Sequence, residues 1–110
     1  MILNFDELER KKIPAFKGGD GCFEPKLFSD SEGCKFMQGH LEPGASIGYH
    51  KHEEDCEVVF VLSGEGSVLY EGEEFPLKAN QCHYCPRGCS HSLRGGGEKG
   101  LDFYACVIAK

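Results

Sequence analysis

Apolar positions along this chain fall into short runs cut by glycine, proline and acidic residues. The most continuous run is Val58-Val59-Phe60-Val61-Leu62, which is hydrophobic on both faces. A strand reads that way when sheets cover it on both sides, so this run is expected to be the centre of the core. Cys34 to Leu41 alternates as a strand does. Phe36, Gln38 and His40 fall on one side and Lys35, Met37, Gly39 and Leu41 on the other, and the pattern leaves open which side faces inward. Phe23 to Phe28 is expected to be the first extended segment, and Leu101 to Ile108 a closing strand.

Between the runs stand turn signals. Glu42-Pro43-Gly44 turns the chain into an extended Ile47 to His52, and the polar Glu53-Glu54-Asp55-Cys56 reads as a turn before Glu57. Gly64-Glu65-Gly66 is expected to reverse the chain so that Ser67 to Tyr70 returns. Glu71-Gly72 reads as a two-residue hairpin loop, and Pro76 demotes Glu73 to Leu77 to an edge. Pro86-Arg87-Gly88 separates Gln81 to Cys85 from Ser90 to Arg94, and Gly95-Gly96-Gly97 is a flexible loop. At the start, Asn4 followed by Glu7 resembles a capping box, and Phe5, Leu8 and Ile13 could line a short helix ended by Pro14. Gly18-Gly19-Asp20-Gly21 reads as a plain loop, since no phosphate-binding glycine pattern accompanies it. Many short strands separated by Gly and Pro turns argue an all-β sandwich or barrel.

Composition narrows the function classes. A chain of 110 residues with 40% hydrophobic content is one domain with a real core. The net charge is -6 and the largest basic cluster is Arg10-Lys11-Lys12, so the electrostatic footprint of a nucleic-acid binder is missing. No run is long and apolar enough to cross a bilayer, and residues 1–20 carry charge throughout, which predicts no membrane partner and a cytoplasmic protein. Seven cysteines without a secretion signal are then expected to be reduced thiols.

The candidate chemistry lies in two stretches. With Ile47 to His52 extended, His50 and His52 share one face, and Glu57 can return beside them after the turn. Downstream, the Pro86-x-Gly88 turn would deliver His91 at the start of another strand. Three imidazoles and one carboxylate suit a divalent cation of borderline hardness.

The first stretch, Gly44-x5-His50-x-His52-x4-Glu57-x6-Gly64, matches the first motif of the cupin family at every fixed position. The second, Asn80-x5-Pro86-x-Gly88-x2-His91-x3-Gly95, resembles the second motif with two departures. Asn80 stands where the family has its leading glycine, a substitution that tolerates the same turn, and Gly95 stands where it has its terminal asparagine. The resemblance implies a cupin-type double-stranded β-helix, or jelly-roll barrel, over residues 1–110, with a short N-terminal helix or arm, motifs at 44–64 and 80–95, and a short inter-motif hairpin over Ser67 to Ala79. It implies that His50, His52, Glu57 and His91 hold one divalent metal ion (Fe, Mn, Ni or Zn), with a small-molecule ligand in the barrel and a homodimeric assembly.

Several residues stand outside that set. Cys82-x2-Cys85 with Cys89 has the spacing of a structural zinc site, which would need Cys106 or His83 to complete it; small buried hydrophobes are the plainer reading. His40 and His83 read as satisfied histidines, either of which would become the leading general base if it faced the cavity. Tyr49 and Tyr84 read as packing residues. The expectation for function is a metal-dependent oxygenase, isomerase or lyase acting on a small polar metabolite. The alternative is a non-catalytic module that senses a sugar or carboxylate; a storage role fits the intact ligand set less well.

Overall fold

The structure is a computed structural model describing residues 1–110. Nine strands form a curled, antiparallel jelly roll: β1 (Ile13–Pro14), β2 (Cys22–Ser29), β3 (Lys35–Leu41), β4 (Ser46–Lys51), β5 (Asp55–Tyr70), β6 (Glu73–Lys78), β7 (Cys82–Cys85), β8 (Ser90–Gly95) and β9 (Leu101–Ala109). Neighbours run β1-β2-β3-β9-β5-β8-β4, with β6 and β7 also paired to β5.

The expected reversal at Gly64 does not occur. β5 runs unbroken through Gly64-Glu65-Gly66, pairing with β9 and β7 in its first half and with β6 and β8 in its second. The register slips between Val61 and Ser63, and Gly64 adopts φ +78 with the Gly100 carbonyl against its α-carbon. Only glycine fits both conditions, so the residue that looked like a turn is the corner at which one strand passes from one sheet to the other. The true reversal comes at Glu71-Gly72, where φ is +47 and +85 in succession, a hairpin turn matched to strand twist. β6 then lies at an edge, as Pro76 requires.

Val58–Leu62 is core on one face only. Val59 and Val61 are fully buried, whereas Phe60 and Leu62 are 42% and 39% exposed. Sheet register extends the outer face sideways. Phe36, Cys106, Val58 and Tyr84 form one row, and Gln38, Tyr104, Phe60 and Cys82 the next. Inside, β3 turns Met37, Gly39 and Leu41 to the core, and Phe103 lies across Gly39 and stacks on Phe23 at 6.1 Å. The open choice of face on β3 is thereby settled, with His40 outside.

The N-terminal helix shrinks to a single 3₁₀ turn, Phe5–Glu7, in which the Asn4 side chain accepts from the Asp6 amide at 3.1 Å. Beyond Leu8 the run Glu9 to Lys12 is charged and gives a helix no apolar stripe to bury. It forms an extended arm instead: the Lys11 amide donates to Pro25, and Ile13 pairs with Phe23.

The two departures from the second motif have separate causes. Asn80 sits at φ +70, within the range asparagine tolerates. At Gly95 the amide donates to Ala45 and the carbonyl accepts from Gly44, each at 2.9 Å, and a β-carbon would fall inside contact distance of the Leu41 and Glu42 carbonyls. Restoring the motif's asparagine (Gly95→Asn) should therefore destabilise the protein, by about 1–3 kcal/mol for overpacking of this kind, read as a lower thermal midpoint with unchanged β-sheet circular dichroism.

Candidate metal centre

His50 lies on β4, His52 directly after it, Glu57 early on β5 and His91 on β8. Backbone pairing brings them together. His50 is the register partner of His91 across a bulge that follows Ile47, and Glu57 pairs with Val107 on β9 and Cys85 on β7. His52, beyond the last ladder position of β4, is held by the turn of the second motif. Its amide donates to Cys89 at 2.9 Å and its carbonyl accepts from Gly88 at 2.6 Å. The two motifs are thus stitched to each other through the backbone of one of the four residues.

The three imidazoles form a near-equilateral triangle, with ring centroids 4.8–4.9 Å apart and planes tilted by 63–67°. The ligand atoms of all four residues lie within 4.8 Å of one another. Each ring fixes its outer nitrogen: His50 Nδ1 donates to the Gly48 carbonyl at 2.7 Å, His52 Nδ1 to Asp55 at 2.5 Å, and His91 Nδ1 meets His83 Nε2 at 2.9 Å. With protons on the outer nitrogens, the Nε2 atoms turn lone pairs inward. His52 Nε2 and His91 Nε2 are 3.0 Å apart, and Glu57 Oε1 lies 3.1 and 2.8 Å from them. Such a convergence of lone pairs and one carboxylate calls for a positive charge at its centre. A divalent cation meets that need, and this donor set fits one.

Electrostatics agree. Burial works to raise the Glu57 carboxyl, but the His52 and His91 rings beside it outweigh this and hold the pKa at about 2, so the group is anionic. Glu57, against the effect of burial and with help from Asp55, raises His52. Burial and the neighbouring rings lower His50, in spite of its bond to Gly48.

All four donors border a cavity of about 410 Å³. Much of its wall is apolar, from Ile13, Phe16, Phe23, Leu27, Met37 and Val107, while the exposed Lys17, Lys35, Lys51, Glu53 and Glu54 supply its charged positions.

Comparison with known proteins fits this arrangement. The model of the cupin domain family matches residues 37–107. The chain is a cupin. This cupin is 32% identical to an oxalate-binding protein of Thermotoga maritima, over 98% of this chain and 93% of the relative. A Thermotoga maritima crystal structure described as a predicted oxalate decarboxylase superposes on it with a TM-score of 0.92 and 30% identity, covering 100% of both chains. KdgF from Halomonas sp. shares the fold, with a TM-score of 0.78 at 16% identity over 100% of this chain and 96% of the other.

The other sequence candidates lie elsewhere in this cupin. Cys82 and Cys85 are three positions apart on one strand, so the period of two sends them to opposite faces, Cys82 exposed and Cys85 buried. No cluster of potential ligands contains two cysteines, and all seven are free thiols. Neither His40 nor His83 borders the cavity at the four donors. Tyr49 and Tyr84 are half exposed. Asp55 and His83 carry no local sequence signal as partners of the ring nitrogens. Asp55 lies within the unspecified positions of the first motif, and the pairing of His83 with His91 depends on two strands that are not ladder neighbours.

His40 joins another potential ligand group with Glu24 and Glu42 on the outer face, yet both its ring nitrogens are already engaged. Nδ1 bonds Asp102 at 2.8 Å and Nε2 bonds Glu42 at 3.1 Å, the pattern of an imidazolium between carboxylates. Burial lowers its pKa, and Asp102 and Glu42 more than reverse this, leaving it above 6.5. A raised folded pKa gives stability that is fully present below pH 6.5 and is lost as pH rises through the folded value. His40→Gln should flatten that decline in denaturation midpoint on the neutral to alkaline side and cost most stability below pH 6.

Proposed function

We propose that this cupin holds one divalent cation, of iron, manganese, nickel or zinc, on His50, His52, Glu57 and His91, and uses it to bind a small carboxylate-bearing metabolite. The supporting observation is the set of three imidazoles with outward nitrogens capped, converging on one carboxylate at the wall of the cavity. The bound ion would supply Lewis acidity and ligand positions for carboxylate oxygens. The oxalate-binding relative supports a carboxylate as the polar end of the ligand. The cavity supports a larger body: about 410 Å³ exceeds ten waters at ~30 Å³ each, whereas oxalate has six heavy atoms. A 2-oxo or 2-hydroxy acid with an apolar side chain would use both the ion and the wall formed by Phe16, Leu27 and Met37.

Binding is preferred to proton-transfer catalysis because the two histidines open to a base role, His40 and His83, lie off the cavity. A metal-dependent oxygenase, whose chemistry resides in the ion, is the second reading, supported by a cavity wide enough for substrate beside the ion. Free thiols at every cysteine support a reducing, cytoplasmic setting.

Protein prepared without an affinity metal should contain about one ion per chain, and His52→Ala should lose most of it while keeping its circular dichroism. Chelation should lower the melting temperature without unfolding the chain, since the core packs without the ion. Stabilisation by a bound ligand is about 2.7 kcal/mol when it is present at 100 times Kd. Calorimetry on the loaded protein should show a branched or aromatic 2-oxo acid binding more tightly than oxalate, with neither binding after chelation. Consumption of the acid in air would favour the oxygenase. Full metal content in folded His52→Ala protein would sink the assignment.

The homodimer belongs to the same reading. Phe60, Leu62, Tyr84 and Tyr104 are exposed on the outer face, and this apolar patch suits a second copy of the chain. Phe60→Glu should convert a dimer into a folded monomer in light scattering; a wild-type monomer would overturn the assignment.

A further inference from the structure

His83 is buried on β7, where it pairs with the fully buried Val59, and the Tyr70 ring stands edge-on to it at 5.4 Å. It forms no part of the wall of the cavity at the four donors, and borders instead a separate hollow with Val68, Tyr70 and Leu77. Its Nε2 lies 2.9 Å from His91 Nδ1. A hydrogen bond between two imidazoles has one proton between the nitrogens, so one ring donates and the other accepts.

The partners of His91 decide the direction. Its Nε2 faces Glu57 at 2.8 Å and His52 Nε2 at 3.0 Å, inside the donor cluster. A His91 that offers the Nε2 lone pair to a cation must carry its proton on Nδ1, and that proton points at His83. We propose that His83 is a positioning residue: its Nε2 lone pair accepts the Nδ1 proton of His91, which fixes the ring so that Nε2 faces the ion. The proposal rests on the assignment of His91 as a ligand.

The role matches those of the other two outer partners. His50 has a backbone carbonyl and His52 a carboxylate, and a neutral imidazole serves His91 in the same way. His83 then keeps its own proton on Nδ1. His83 is 8% exposed and has no carboxylate as a hydrogen-bond partner, so its Nε2 is free to accept. At 1% exposure the His91 ring is shielded from bulk solvent. Loss of His83 would leave the Nδ1 proton unpartnered and favour the tautomer that blocks the metal-facing nitrogen.

Gln and Asn at position 83 separate the acceptor from polarity and fold. The Gln side-chain oxygen reaches the place of His Nε2, and the shorter Asn does not. Zinc affinity of metal-free protein, measured by competition with a chromophoric chelator, should fall about 10–100-fold in His83→Asn and recover to within a few-fold of wild type in His83→Gln. Long-range nitrogen-15 spectra of the wild type, metal-free and zinc-loaded alike, should show the His83 proton on Nδ1. Finding it on Nε2, or an affinity within two-fold of wild type in folded His83→Asn, would overturn the proposal. His91→Ala is the control. If it retains zinc at wild-type affinity, the ligand assignment falls; if it loses zinc while His83→Asn does not, the positioning role alone falls.

Discussion

The continuity of β5 through its corner at Gly64 is the constraint on which the site depends. Its first half lies against β9 and β7 and carries Glu57, and its second half lies against β8, where Tyr70 pairs with His91. A carboxylate from one sheet and an imidazole from the other therefore occupy one body whose relative position is set by backbone hydrogen bonds. Gly64 makes this possible because it alone accepts a positive φ beside the Gly100 carbonyl. A true turn there would have separated the two halves into strands free to shift.

Precision at the centre comes from interactions around the donors more than from the donors themselves. The turn Pro86–Cys89 grips the backbone of His52, and the outer nitrogens meet a carbonyl, a carboxylate and an imidazole. Without a cation, lone pairs and the Glu57 charge face one another in a buried space, an arrangement that favours uptake of positive charge. The apolar wall beyond gives the cavity a second character, with charge at one end and carbon at the other.

The first motif was legible in the sequence because its spacing follows from strand geometry. Alternate positions place His50 and His52 together, and a short link lets Glu57 return. The β-rich class, the hairpin at Glu71-Gly72, the edge position of β6 and the tolerance of Asn80 for its turn also follow from local rules of turn chemistry and period. Each depends on residues a few positions apart, which is the range over which backbone sterics act.

Tertiary structure decided what local rules leave degenerate. Glycine at 64 suits a reversal and a corner equally, and only the presence of β9 and β8 on either side of β5 selects the corner. The apolar run Val58–Leu62 reads the same whether its second face meets a sheet within the chain or lies open, and here it lies open. Cys82 and Cys85 look like a chelate until the strand sends them apart. Gly95 is required because two carbonyls from the Leu41–Glu42 segment approach it across the fold. His83 and His91 meet across strands that share no ladder, a contact between side chains that no periodicity encodes. Sequence by itself pointed to most of the strands and to the four residues that the fold brings together; the packing of elements distant in the chain determined which faces are inside and which groups surround those four.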